Sequence, residues 1–332
     1  MKAAMARRGT VLAAIVLAVA IPALLTDYYR SLAALAAITA ILVLSLNLLT
    51  GFVGQISFCQ YSFAAFGALT VGSLVGGHNW SFWAALPLGV LFAAAVGLLI
   101  GIPALRLSGL FIAILTVGFA LFCDRFLFAP GGLDWLSGGT NPWQVGRPSL
   151  FGLHLSGQYT FYLFSLAVFL LVAMFVWNLR IGKAGRVLRA IRESEVAAST
   201  MGLDVTKWKL AAFSVSAGIA GLAGGLLAAQ IGSVSPASYD FLHSVPLVAV
   251  VVVMGVAALS SSAAGGIFLL WAPELLRHTG LNVAYFQLIL GVLLILQLVF
   301  SPQGAIVRMQ QDAKKLLGLN RRGKDAELAE VL

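Results

Sequence analysis

Charged residues make up only 10 % of this 332-residue chain, and cysteine occurs just twice, at Cys59 and Cys123. A soluble domain carries roughly 25 % charged residues, so a water-facing surface of this length could not be covered. Two thiols, each inside an apolar run, exclude a disulfide framework and a clustered thiolate metal site. A phosphate-cradling loop is also missing. The nearest Gly-Lys pairs, Gly182-Lys183 and Gly323-Lys324, are followed by Ala184 and Asp325, without the hydroxyl and upstream glycine that hold a nucleotide. The chain is therefore expected not to hydrolyse ATP by itself.

Three further absences narrow the chemistry. His78, His154, His243 and His278 stand singly, with neither an i,i+4 partner nor a nearby cysteine, so no metal site and no acid–base pair is expected. None of the apolar runs holds Asp, Glu, Lys or Arg near its middle; Asp124 and Arg125 sit at the end of one. Ion-coupled carriers usually place such groups at membrane depth. A proton-driven carrier is disfavoured, while a sodium site built from carbonyls and hydroxyls would escape this test. Finally, basic residues are confined to short stretches between apolar runs, unlike the solvated basic face of a nucleic-acid binder.

What is present is apolar sequence: 60 % of residues, with 35 glycines and a mean hydropathy of +0.97. The solvent for most of this chain is lipid, and the fold class is all-α, a polytopic integral membrane protein. At about 20 residues per span, about ten transmembrane helices fit. The runs are 10–26, 31–49, 58–76, 80–102, 107–128, 159–178, 208–231, 241–258, 262–271 and 281–300. The first follows Lys2, Arg7 and Arg8 like a signal peptide but leads straight into a second span, and reads as a retained helix. The ninth is short, and is expected to tilt, to extend through Pro273 or to be re-entrant.

Placing the N-terminus in the cytoplasm puts 17 basic residues inside and leaves Arg30, Arg125, Arg147 and Arg277 outside. Inside fall 7 acidic residues and outside 5, so the net charges are +10 and −1. Because Lys/Arg bias in short loops sets orientation, this asymmetry predicts both termini in the cytoplasm. The membrane-embedded body is 1–307, followed by a mixed-charge cytoplasmic tail, 308–332. Residues 129–157 form an outside loop with seven glycines, three prolines, Trp135 and Trp143, long enough for a small cap. Residues 179–207 form the largest inside loop. From about Gly185 to Met201 this loop is compatible with one helix, with Arg186, Arg189 and Arg192 on one side and Val187, Ile191 and Ala198 on another. Gly202 is a stop signal for that helix. Physics alone allows a solvated positive-inside anchor or a short helix gripped by another protein.

At this loop the sequence resembles ABC importer permeases, whose cytoplasmic loop carries Glu-Ala-Ala with glycine four residues after the second alanine. Ala197, Ala198 and Gly202 match; Val196 holds the usual glutamate position, with Glu195 one residue earlier. The stretches Leu46–Ser57 (LNLLTGFVGQIS), Pro103–Thr116 (PALRLSGLFIAILT), Ser137–Asn141 (SGGTN) and Phe300–Gly304 (FSPQG) are similar, in the same order, to landmarks of the branched-chain amino acid permeases of the LivM type. The resemblance covers roughly residues 30–307. Two departures stand out. Gly255–Gly266 (GVAALSSSAAGG) replaces the family's Gly-Gly-x-Gly-Thr, and Pro142 replaces the glycine after Thr-Asn.

The resemblance implies a permease subunit in a bacterial inner membrane, moving branched-chain amino acids by alternating access, and no cofactor. It also implies two ATP-binding cassette ATPase subunits, a homologous second permease and a periplasmic or lipoprotein substrate-binding protein, with membrane lipid around the spans. Glu195, Ala197, Ala198 and Gly202 would then couple to the ATPase. Same-family permeases carry urea, short amides or other amino acids; a sodium-coupled carrier or a channel is the different-class alternative.

The substrate path is sought where apolar sequence is interrupted. Asn47, Thr50, Gly51, Gly54, Gln55 and Ser57 place amides, hydroxyls and glycines between the second and third spans. Non-helical backbone at membrane depth is tolerated only where buried in protein or lining water. The segment is thus either a cavity lining for a zwitterion or a plain turn. Thr116 is a weaker candidate, with Gln60, Ser62, Ser214 and Ser216, because hydroxyls within spans often bond their own helix. Gly218, Gly221, Gly224 and Gly225 form a small-residue stripe expected to bring helices close.

Overall fold

The computed structural model describes residues 18–300, apart from 21, 106, 108, 140, 151, 152, 155, 156, 256–258, 281 and 283. Most of the first apolar run and the whole 308–332 tail lie outside the described residues. The other nine runs each contain a helix.

Helix α1, Asp27–Leu48, continues into a π-helical turn, Leu49–Val53, and α2, Gln60–Gly72, into another, Ser73–Gly77. They are followed by α3 (Phe82–Ala104) and α4 (Leu110–Phe122), the latter with a π turn at Cys123–Leu127. A loop segment holds the single-turn α5 (Asp134–Ser137) and strands β1 (Trp143–Gln144), β2 (Ser149–Leu150) and β3 (Leu153–His154). Then come α6 (Gln158–Ile181), α7 (Lys183–Glu193), α8 (Glu195–Thr200), α9 (Val205–Ile231) and strand β4 (Ser233–Val234). Two 3₁₀ turns lead into α10 (Ser244–Met254), α11 (Leu259–His278) and α12 (Tyr285–Phe300).

Among the described residues, six helices are long and apolar enough to cross a membrane: Asp27–Val53, Phe82–Ala104, Leu110–Leu127, Gln158–Ile181, Val205–Ile231 and Pro236–Met254. The short ninth run is part of a 20-residue helix that passes through Pro273, the extended option among those left open by the sequence.

Burial sorts these helices by role. Apolar side chains cover all sides of α1 and α9, and both are largely enclosed by protein, whereas α4 and α6 leave most of their apolar surface open. A helix apolar all round belongs in a core or in lipid, and here the two cases are separated. Helix α9 packs on α1, α2 and α3; α1 also carries α6 and α11.

The glycine stripe explains how closely α9 approaches. A Cβ added at Gly224 would overlap the backbone carbonyl of Ala64 in α2, and one at Gly67 would overlap the backbone of Gly221. Gly97 of α3 likewise sits against the Cβ of Ala217. Backbones meet where side chains are missing, and dispersion contacts replace the hydrophobic drive that lipid does not supply. The altered stretch does similar work. A Cβ at Gly266 would come 2.5 Å from the Ala36 carbonyl, so α11 lies directly on α1.

At one end of the bundle, the described residues of 129–157 form a small cap of one helical turn and short strands. Strand β1 pairs antiparallel with β4, and β2 pairs with β3. Gly138 and Gly139 are left-handed, and the Trp143 indole packed against Gly138 donates to the Leu136 carbonyl at 2.9 Å. Ser73 Oγ donates to the Trp135 carbonyl at 2.8 Å, tying the cap to the π turn that follows α2.

Candidate functional site

Two regions singled out by sequence lie together at the opposite end of the bundle: the interruption after α1, and the loop helices α7 and α8.

The interruption is real as geometry. After the wide π turn, Gly54 takes a left-handed conformation (φ 77°), which only glycine adopts without strain. The chain then runs without regular structure to Gln60. Asn47, Thr50, Gln55, Ser57 and Thr116 are all buried. Their bonds differ in kind. Thr50 Oγ1 donates to the Leu46 carbonyl of its own helix at 2.8 Å. Thr116 Oγ1 donates to Ala113 O at 2.9 Å and accepts the Phe58 amide at 3.1 Å, so α4 holds the entry to α2. Ser57 Oγ lies 3.2 Å from Cys59 Sγ.

Asn47 reaches further. Its Nδ2 donates to Ser262 Oγ at 2.7 Å and to Ser261 Oγ at 3.2 Å, across to α11. Those serines lie in the stretch that departs from the family pattern. Asn47 Oδ1 and Gln55 Oε1 are buried acceptors without a protein partner, as is the Ser62 hydroxyl. A buried polar atom left unpaired costs about 1–3 kcal/mol, so these atoms retain capacity for a polar ligand.

A second polar cluster sits beside them. Ser45 Oγ donates to the Leu42 carbonyl at 2.6 Å and lies 3.2 Å from Gln60 Oε1; Gln60 Nε2 donates to Ser216 Oγ at 3.1 Å, and Ser216 Oγ to the Ser45 carbonyl at 2.7 Å. This cluster joins α1, α2 and α9. Next to these helices a cleft with room for about one water is lined by Ile38, Thr39, Leu42, Tyr61, Ala64 and Leu227, among others.

The loop departs from the expected single helix over 185–201. Ser194 is extended (φ −158°, ψ 113°) and divides it into α7 and α8. The reason is local: Ser194 caps α8, its Oγ accepting the Ala197 amide at 3.2 Å, and a capping serine favours non-helical backbone. The buried face of α7 is Gly185, Leu188 and Ile191; of the apolar side read from the sequence, Ile191 and Ala198 are buried and Val187 is half-buried. Gly202 does end α8. With φ 80°, it places the Gly202 amide on Ser199 O (3.0 Å) and the Leu203 amide on Ala198 O (3.1 Å), the paired bonds of a Schellman cap.

Ala198 is buried, while Val196 and Ala197 of α8 and its C-cap residue Met201 are exposed. Glu195 forms an ion pair with Lys209 in the first turns of α9. Just before that helix, the Lys207 side chain and amide hold the Asp204 carboxyl below the usual carboxylate range, and Asp204 caps α9. Sequence reasoning missed Lys209, Ser261 and Ser262 as functional partners. Lys209 looked like one more positive-inside charge, and nothing in the spacing brings Asn47 to residues more than two hundred positions away.

Comparison with known proteins adds the following. A family model described as "Branched-chain amino acid transport system / permease component" matches residues 28–298. The chain is 34 % identical over 343 residues to the high-affinity branched-chain amino acid transport system permease protein LivM of Salmonella typhimurium, covering 95 % of this chain and 78 % of that relative. The Escherichia coli protein of the same name is 35 % identical over 342 residues, with the same coverage. An autoinducer 2 import system permease protein, LsrC, of Enterobacter is 28 % identical over 179 residues, half of this chain and 49 % of its own length. No solved structure matches.

Proposed function

The chain belongs to the family of branched-chain amino acid transport system permease components, and from that premise we propose that it moves branched-chain amino acids through a bacterial inner membrane by alternating access. It is a transport protein of the membrane and not an enzyme. ATP is hydrolysed by two separate cassette subunits docked beneath α7 and α8, and a second, homologous permease completes the pore. A soluble or lipid-anchored receptor delivers substrate to the cap side. In this reading both termini are cytoplasmic, the spans number about ten, 129–157 faces outward and 179–207 faces the ATPase.

The observation that carries this reading is the doubly capped α8, which leaves apolar side chains open in a charged loop. Val196 and Met201 are about three-quarters exposed on a helix held by a serine cap at one end and a glycine cap at the other. A helix fixed at both ends that offers apolar side chains within a charged loop supports docking of a partner there. Glu195, Ala197, Ala198 and Gly202 are the proposed coupling residues.

The test is uptake by the complex reconstituted in liposomes with its ATPase and receptor, across leucine, isoleucine, valine and urea. Vanadate-sensitive uptake of the three amino acids is expected. Uptake of urea alone supports the amide-carrying alternative, and uptake by the isolated chain on a sodium gradient would replace the whole proposal.

For the path we propose Asn47, Thr50, Gly51, Gly54, Gln55, Ser57 and Thr116, with Asn47 Oδ1 and Gln55 Oε1 as acceptors for the substrate's ammonium group. An Asn47→Leu, Gln55→Leu double variant should lower leucine uptake tenfold or more while the complex still assembles. Normal uptake by that variant would leave the segment a structural turn.

A further inference from the structure

We infer that Arg192 is a positioning residue, a strut that carries displacement of the coupling loop into the glycine interruption after α1. The inference rests on the function proposed above and names a connection within it.

Arg192 lies in the last turn of α7, two residues before the extended Ser194. Its guanidinium Nη1 donates to the carbonyl of Gly51, 141 positions away. That carbonyl belongs to the end of the π turn, where a helix leaves its last carbonyls without partners of its own. The arginine therefore fills an acceptor that the helix end cannot satisfy. The stem of the same side chain runs over Gly54: a Cβ there would come 3.1 Å from Arg192 Cγ and 3.7 Å from Cδ. The glycine that turns the chain left-handed is thus also the glycine that makes room for the strut.

The contact leads onward. One helical turn before Gly51 stands Asn47, whose amide binds Ser261 and Ser262 of α11. A shift of α7 thereby reaches α11 through Arg192, the π turn and Asn47. The loop has a second, separate attachment on the other side of Ser194, where Glu195 holds Lys209 of α9. Two attachments to different helices, with an extended residue between them, make a lever: the ion pair is the fixed point and Arg192 the moving arm. A guanidinium suits the arm, since its planar array of donors holds a carbonyl in a set direction, which an ammonium does not.

The test measures leucine transported per ATP hydrolysed by the whole reconstituted complex. Arg192→Ala is expected to lower that ratio at least tenfold while the ATPase subunits still co-purify, and Arg192→Lys to recover part of it. Gly54→Ala retains the arginine but displaces its stem, and a fall in the same ratio is expected. An unchanged ratio in Arg192→Ala would overturn the strut whatever Gly54→Ala does, because alanine at the left-handed Gly54 strains the turn by itself. Loss of ATPase co-purification in Arg192→Ala and Arg192→Lys would also overturn it, by making Arg192 part of the docking surface. If the parent complex takes up no leucine with ATP, the function proposed above fails, and the strut with it. A parent that transports normally beside variants with the parent's ratio removes the strut alone.

Discussion

Reversing Glu195 to lysine is expected to lower ATP-driven uptake tenfold or more, and pairing it with Lys209→Glu is expected to restore most of it. The asymmetry of the pair is the reason. The Lys209 side chain is only 4 % exposed, whereas Glu195 is 55 % exposed. Glu195→Lys brings a second ammonium against a buried one, so α8 must leave its seat or Lys209 must find water through a packed helix end. Losing one partner of a buried pair costs about 3–5 kcal/mol. With Glu195 half in solvent the penalty falls to roughly 1–3 kcal/mol, still enough to shift a single-turn helix. The double exchange restores the internal pair but reverses the charge offered outward. Recovery would therefore assign Glu195 to holding α8 in place. Failure to recover, with assembly intact, would assign it to contact with the ATPase. Unchanged uptake by the single Glu195→Lys variant would refute both roles.

The larger effect on the fold is expected from Gly224→Leu. A Cβ at this position would overlap the Ala64 carbonyl, and backbone of a packed helix cannot swing aside as a side chain can. Overpacking a core typically costs 1–3 kcal/mol, occasionally more. Here three helices meet at the same level, so the cost should exceed about 3 kcal/mol. The variant should accumulate poorly in membranes and lose the monodisperse peak of the parent in detergent. Gly218→Ala is the control on the same stripe. Its added Cβ would sit 3.4 Å from Ala94 Cβ, ordinary contact, and the protein should keep its yield and melting temperature within a few degrees. Equal behaviour of the two variants would show that the stripe does not set the helix spacing.

These two sites illustrate what can be read along a chain. The stripe Gly218, Gly221, Gly224, Gly225 is a local pattern: spacing of three and four residues puts glycines on one helix face, and a membrane helix with such a face packs closely. Its partners are not local. That Gly224 meets Ala64 and Gly221 meets Gly67 follows only from how α2 and α9 cross. The loop shows the opposite case. Apolar and basic periodicity over 185–201 was compatible with one helix, yet Ser194 ended it, because a serine that caps the next helix outweighs weak propensity in a short polar segment. The glycine stop at Gly202, by contrast, was legible, since a left-handed cap needs a specific residue and little else.

The interruption at 47–57 was half legible. Glycines, amides and hydroxyls within an apolar stretch announced a break, and the π turn and left-handed Gly54 are that break. Which groups were already bonded was not announced. Thr50 is engaged with its own helix, Gly51 with Arg192 and Asn47 with α11, while Gln55 Oε1 has no protein partner. Hydrogen-bond satisfaction depends on what lies opposite in space, and for Asn47 and Gly51 the opposing residues are more than a hundred positions away.

The scarcity of charge determined by itself that this chain lives in lipid. Transfer free energy is a sum over residues and needs no fold to evaluate, and the same holds for the uneven distribution of lysine and arginine that predicts which ends face inward. Tertiary structure alone decided which charges left over from that sorting are tied down. Arg192 and Lys209 look alike in sequence, two basic residues at the membrane edge. Packing of α7 against the end of α1 gives one of them a carbonyl. The path of α9 beneath α8 buries the other against Glu195. Pairwise contacts fall off within a few ångströms, so they are set by which segments meet rather than by which residues the chain contains.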